Sequence, residues 1–288
     1  MKKNYGGIYT LPITIWVTVF FLVPVLIVFL YSFLERSETG GVVFSFSLAA
    51  YSAMLNPLFG HILLDTLWIS LASTVLTMLI ALPCGYYMAR SRKKSVLLFL
   101  IVIPFLTNFL IRIYAWQAIL GNNGFLNSFL LSLGLIDRHI QFLYNEYAVT
   151  IVLVYSYLPY AILPLYSTIE KFDFSLLEAA RDLGASHLGS IRRVMIPNIR
   201  SGIVSAVLFT FIPTFGAYAV PKLVGGGKSS FMLGNVIADN ILVSRNWPYA
   251  SATSILITLV TTAAMGLYLL ANRAPLRATG QAAKKEKA

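Results

Sequence analysis

Charge is scarce in this chain of 288 residues. Only 11% of positions are Asp, Glu, Lys or Arg, while 58% are hydrophobic. Soluble domains carry roughly a quarter charged residues, so a soluble globular protein is excluded. Cysteine is nearly missing as well. Cys84 stands alone inside an apolar run, which rules out a disulfide framework and a thiolate metal site. The three histidines, His61, His139 and His187, are far apart and form no ligand spacing, so each reads as a surface or interfacial residue. Acidic residues number 11, and no convergent pair in a hydrolytic pattern or Ser–His–Asp set can be traced among them.

What the chain does have is long apolar runs. About 20 apolar residues span a bilayer, and several runs reach that length. Six spans are predicted, at about 11–34, 62–89, 96–120, 147–169, 199–221 and 249–271. The expected fold is all-α and integral to the membrane, one permeation domain over 1–288. The first run follows the basic head "MKKN" and is too long for a signal-peptide core, so it reads as an uncleaved first helix. The tail "KKEKA" is expected to fray.

Basic residues set the orientation. Counting Lys and Arg in the loops puts sixteen on one side and five on the other, with Arg112 left inside a span. Cytoplasmic loops hold the excess. Both termini and the stretch 171–198 are therefore expected in the cytoplasm of an inner-membrane, multi-pass protein. The net charge of +11 is then a matter of topology, and a nucleic-acid partner is not expected.

Several intramembrane residues are candidates for a translocation path. In "LFTFIPTFGAYAVPK", Pro213 and Gly216 should kink or unwind the fifth span, which is tolerated where freed backbone faces protein or water. Thr210, Thr214 and Tyr218 recur every fourth residue and Lys222 continues the line, giving a polar stripe. Helix packing explains Thr and Gly equally well. In the third span, Thr107, Asn108 and Arg112 lie at membrane depth; Arg112 reads as an anchor near the outer end. Tyr114 and Trp116 fit the outer aromatic belt. Tyr155, Tyr157 and Tyr160 on the fourth span offer faces to an organic cation, although aromatic residues in spans more often pack. Asp65 and Asp239 are possible ammonium partners, and Asp239 could equally cap a loop helix.

Between the fourth and fifth spans lies "LLEAARDLGASHLGSIRRVMIPN". Ser175 and Glu178 form an S-x-x-E capping-box pattern. Leu176, Ala179, Ala180 and Leu183 share one helical face. Gly184 stands where a left-handed C-cap would stop the helix. A second short helix should follow, with Leu188, Ile191 and Met195 on a stripe, until Pro197. From the pattern alone, a plain interfacial connector and a docking surface weigh equally.

This stretch resembles the EAA loop of binding-protein-dependent ABC importer permeases. Glu178, Ala179, Ala180, Gly184, Ile196 and Pro197 fall at its motif positions. "LLFLIVIPFLTNFLIRIYAW" and "NWPYASATSI" extend the similarity to permeases of spermidine/putrescine importers, from about 10 to 268. The resemblance implies a type I ABC importer permease fold, six transmembrane helices with a cytoplasmic coupling helix-turn-helix. It implies that Glu178, Ala179, Ala180, Arg181, Asp182, Gly184 and Pro197 face an ATPase subunit. The partners it implies are an ABC ATPase dimer, a second homologous permease, an extracytoplasmic substrate-binding protein and the bilayer. This chain would then bind no cofactor, ATP–Mg being held by the ATPase. "KLVGGGKS", 222–229, misses the phosphate-loop pattern, because Lys222 occupies the first glycine position and no strand is expected before it. Energy should therefore come from another polypeptide.

One departure stands out. Polyamine permeases of this kind often carry an acidic residue where this chain has Lys222, which would repel a polycation. The same machine carrying an amino-acid-like compound, thiamine or iron therefore stays open. An integral membrane enzyme and a stand-alone carrier are the readings from other classes.

Overall fold

The computed structural model describes the backbone of residues 6–227 and 230–285, and the side chains of 10–227 and 230–266. Most of it is helix. In chain order the first elements are α1 (Gly6–Tyr31), strands β1 (Leu34–Arg36) and β2 (Val42–Phe46), α2 (Ala49–Ala53) and α3 (Pro57–Arg90). Then come α4 (Lys94–Val102), a 3-10 turn (Ile103–Leu106), α5 (Phe109–Leu120), α6 (Phe125–Ser132) and α7 (Glu146–Glu170). The connector holds α8 (Ser175–Asp182), α9 (His187–Ser190), a π-turn (Ile191–Met195) and α10 (Ile196–Asn198). The chain closes with α11 (Arg200–Phe215), α12 (Ala219–Val224), α13 (Leu233–Leu242) and α14 (Trp247–Lys285).

Among the described residues, four helices are long and apolar enough to cross a membrane, and six if each of two bent pairs counts as one span. The third expected span is not one rod. Segments Lys94–Leu106 and Phe109–Ser132 meet at 91°. The break falls at Thr107 and Asn108, where Thr107 turns extended and the Asn108 side chain caps α5 by accepting from the Leu110 amide at 2.8 Å. Capping oxygens satisfy the first orphan amides of a helix, so an Asn at this point starts a new helix and does not continue the old one. The antiparallel ribbon β1–β2 was not expected either; Val42, Val43, Phe44 and Phe46 supply its β-favouring residues. At the C-terminus, where fraying was expected, α14 stays helical to Lys285, while 286–288 lie outside the described residues.

The chain forms two compact units. One contains the residues up to His61 together with Leu233–Thr262. In it Tyr31 stacks on Trp247 with centroids 6.1 Å apart, and the Arg36 guanidinium donates to the Ser244 carbonyl at 2.8 Å. The described side chains of α1, from Thr10 on, are exposed almost throughout, consistent with a rod surrounded by lipid or another chain.

The other unit contains Ile62–Met232 and the end of α14. Helix α7 is its axis. Two buried clusters lie along it, one built from α3, α5, α7 and α12 residues, the other from α3, α7, α8 and α11 residues. Pro159 and Pro164 sit inside α7 without ending it, and the Thr168 hydroxyl occupies the Pro164 carbonyl at 2.8 Å. Packing of α7 on α11 is close. A Cβ at Gly202 would stand 2.6 Å from the Thr168 Cβ, so only glycine permits this separation. Small residues are what lets membrane helices approach in the absence of a hydrophobic drive between them.

Candidate functional site

The connector is built around one anchor. Leu177 is 1% exposed and packs into the cluster of Ile162, Leu165, Ile169, Met195 and Ile199. Phe172 and Phe174 meet edge to face beside it at 5.5 Å. The capping box is not formed. Ser175 is the first helical residue, and Asp173 supplies the oxygen instead, accepting from the Ser175 amide at 3.0 Å. Hydrogen bonds from the Ser175 hydroxyl and amide hold the Asp173 carboxyl below its ordinary range.

At its other end α8 closes in a Schellman motif. Gly184 has φ +89°, its amide reaches the Arg181 carbonyl at 2.8 Å, and the Ala185 amide reaches Ala180 at 3.0 Å. Ser186 then caps α9 by accepting from the Gly189 amide at 3.1 Å. The π-turn follows, with the Ile196 amide on the Ile191 carbonyl. Pro197 is exposed within α10, and the segment turns by 75° into α11.

The face that Leu176 and Leu183 share points outward. Leu176 is 44% exposed, Leu183 89% and Leu188 77%, and Ala179 is exposed while Ala180 is partly buried. Glu178, Arg181 and Asp182 are exposed as well; the Arg181 Nε donates back to the Leu177 carbonyl at 3.1 Å. Met195 is fully buried, so Leu188 and Met195 do not share one face; the π-turn between them shifts the register. The result is a short helix held from beneath by Leu177, with Leu176 and charge on its free side, Leu183 exposed at its C-cap and Leu188 exposed on α9. A cleft of about 460 Å³ opens at its root, between Thr168, Lys171, Leu176, Asn198 and Ser201.

The intramembrane candidates are not one stripe. Helix α11 ends at Phe215, and residues 216–218 are non-helical before α12 begins, so Tyr218 and Lys222 do not continue the face of Thr210 and Thr214. Thr210 and Thr214 are fully buried, their hydroxyls donating to the Ala206 and Thr210 carbonyls one turn back. That is helix packing within the unit. Tyr218 is 37% exposed beside the break, and Lys222 is exposed on α12. Asp239 lies on α13, in the other compact unit, partly buried. For the stretch 222–229, a helix and not a strand leads in, while Lys228 and Ser229 lie outside the described residues.

Other groups do come together. The Arg112 guanidinium folds back over Phe105, 4.4 Å from its centroid, and lies 5.6 Å from Phe109. Phe105 meets Tyr160 edge to face at 6.1 Å, and Tyr160 meets Tyr157 at 5.9 Å. Tyr160, 52% exposed, lines a cleft of about 200 Å³ with Val102, Phe105, Pro159 and Leu163. The Tyr157 hydroxyl donates to the Pro213 carbonyl at 3.4 Å, tying this aromatic group to the end of α11. Trp116, partly buried, packs edge to face on Tyr155 at 5.4 Å against the first buried cluster, and Tyr114 stays 56% exposed. An exposed aromatic face attracts a cation by ~0.5–2 kcal/mol. Sequence reasoning missed Leu177 and Phe105. The signal for Leu177 was present in Phe174–Leu177 at i, i+3; for Phe105 there was none, because the break at Asn108 is what turns it toward Arg112.

Comparison with known proteins bears on the whole chain. A family model described as "Binding-protein-dependent transport system inner membrane component" matches residues 78–275. The spermidine/putrescine transport system permease protein PotB of Escherichia coli (strain K12) is 42% identical over 257 residues, covering 88% of this chain and 92% of that protein. Its Haemophilus influenzae counterpart is 41% identical over 260 residues, covering 90% and 91%. Among solved structures, a bacterial ABC transporter involved in importing the acidic polysaccharide alginate superposes with a TM-score of 0.63 at 17% identity, covering 93% of this chain and 98% of that one. The alginate transporter bound to its pentasaccharide-loaded periplasmic protein gives 0.66 at 16% identity and 88% coverage of each chain. At those identities the likeness is one of fold.

Proposed function

Because this chain belongs to the family of binding-protein-dependent transport system inner membrane components, we propose that residues 175–198 are the grip through which a separate ATPase drives it. The observation that carries the reading is the set of exposed leucines on the connector. An isolated connector would bury its leucines, yet here Leu176, Leu183 and Leu188 face outward beside Glu178, Arg181 and Asp182, while Leu177 locks the helix to the membrane unit. Such a surface needs a partner, and a rigid mount lets motion of that partner reach α7 and α11. A ligand-driven engine shifts a two-state bundle only if its contact differs between the states. ATP–Mg belongs to that engine, and this chain holds no nucleotide. Both termini and the grip lie in the cytoplasm on the count of basic residues. A second permease subunit completes the path, and a binding protein delivers cargo from outside, as the periplasmic protein in the alginate complex supports.

The proposed cargo is a polyamine. Two relatives above 40% identity, covering about nine-tenths of the chain, are spermidine/putrescine permeases, and the exposed Tyr160 face beside Phe105 suits an organic ammonium. Asn108 positions that face by ending the preceding helix. Lys222 favours a second reading, another small solute moved by the same machine, since it is exposed where a carboxylate would serve a polycation.

The test is reconstitution of the complete transporter in proteoliposomes. Wild type should take up spermidine with ATP hydrolysis stimulated by the loaded binding protein, and Tyr160→Ala should lower uptake about 5–10-fold, the size of one cation–π contact. ATPase stimulation that survives deletion of 176–190 would overturn the grip.

A further inference from the structure

The arrangement at Arg112 is unfinished within this chain. Its Nε and Nη1 are closed off from solvent and have no hydrogen-bond partner. Glu170 is paired with Lys94, and no carboxylate of the described residues stands within ion-pair distance of the Arg112 guanidinium. Two ring faces hold it in place, Phe105 at 4.4 Å and Phe109 at 5.6 Å. Cation–π contact orients a charge but fills none of the five donors of a guanidinium. A buried donor without an acceptor is costly, and an intramembrane cation faces protein or water and finds a partner there.

Three sources could supply the acceptor. Cargo is the poorest, since on the reading above it is itself cationic. A lipid phosphate is met by an arginine extended toward the headgroup layer, whereas this guanidinium is folded back over Phe105 of the preceding segment. The third source is protein. Around Arg112 the chain shows a bare apolar surface, with Leu106 79%, Ile111 64% and Leu110 46% exposed. The residue as a whole is only partly buried, so the guanidinium's remaining surface can be reached from outside the chain.

We propose that the α5 face around Arg112 is a contact with the second membrane subunit, which places an Asp or Glu side chain against this guanidinium. The inference rests on the two-subunit reading above. Charge complementarity selects the partner's chemistry. An arginine presented on ring faces takes a carboxylate in a fixed direction, and the apolar surround excludes water from the pair. Arg112 is thus a positioning residue that sets how the two membrane subunits register.

The test uses the complete transporter carrying an affinity tag on this chain. Arg112→Glu should insert normally and recover at least about tenfold less of the second subunit; reversing one acidic membrane residue of that subunit to Arg should restore recovery. Arg112→Met keeps a side chain on the rings through its sulfur and should also lose partner, while Arg112→Lys should retain part of it. If Arg112→Glu fails to insert, the methionine variant decides the matter alone. Wild-type recovery in an inserted Met or Glu variant overturns the proposal. So does a partial loss that no acidic reversal repairs, or a loss seen only when anionic lipid is withdrawn, which would assign the acceptor to a phosphate. Failure of the wild-type chain to recover any second subunit would instead sink the two-subunit reading.

Discussion

Truncation of Leu177 separates the mount of the connector from its outer face. Fully burying a leucine contributes ~1.5–3 kcal/mol, and Leu→Ala in a closed site costs about 2–5 kcal/mol once the cavity is included. Leu177 is 1% exposed, so the whole cost applies. Helix α8 has eight residues, too few to persist undocked, where the threshold is about 12–15. At the low end of that cost, the ratio of docked to undocked α8 falls roughly 30-fold. Amide exchange of 176–183 in the detergent-solubilised chain should accelerate by that factor in Leu177→Ala. Leu183→Ala, at 89% exposure, should leave exchange within about twofold, since exposed substitutions shift stability by less than ~0.5 kcal/mol. In the reconstituted transporter both variants should lose ATPase stimulation, one through the mount and one through the gripped face. Unchanged exchange in Leu177→Ala would refute the anchor.

Other outcomes follow from single positions. Gly184→Val places a β-branched residue at φ +89° with no steric neighbour, so its cost is backbone strain alone, at least ~1–2 kcal/mol, read as faster exchange at 180–185 with normal insertion. Gly202→Ala should overpack α7 on α11 and lower thermal stability by about 1–3 kcal/mol, and Thr168→Gly in the same chain should recover most of it. The depressed Asp173 carboxyl contributes to the start of α8 fully above its unfolded pKa, and that contribution fades as pH falls through the lower folded value. Protection of 175–178, taken relative to the intrinsic exchange rate at each pH, should therefore fall only in acid, and Asp173→Asn should flatten the dependence. Lys222→Asp should raise spermidine uptake if α12 borders the path; uptake equal to wild type would move that position out of it.

Much of the architecture was legible in the sequence. Apolar runs fix where helices form, because a backbone in lipid must satisfy its own hydrogen bonds. Gly184 marked its turn, since few other residues accept that φ. What the pattern could not show was which side of each helix meets which neighbour. Leu176 and Leu177 are equal as letters, yet one is bare and the other sealed, because α8 lays one side on the buried cluster of α7 and α11 residues that Phe172 and Phe174 flank. The four-residue recurrence from Thr210 to Lys222 dissolved for the same reason: periodicity describes one continuous helix, and the break after Phe215 ends it.

Hydropathy and local turn chemistry therefore determined helix, membrane and connector by themselves, since each depends only on residues close in sequence. Tertiary structure decided that Arg112 lies on Phe105 without an acceptor and that Tyr160 opens to a cleft. Those facts arise from segments brought together by a 91° break: the Asn108 cap marks locally where a new helix starts, but which groups the turn brings face to face depends on residues distant in sequence, such as Tyr160 beside Phe105.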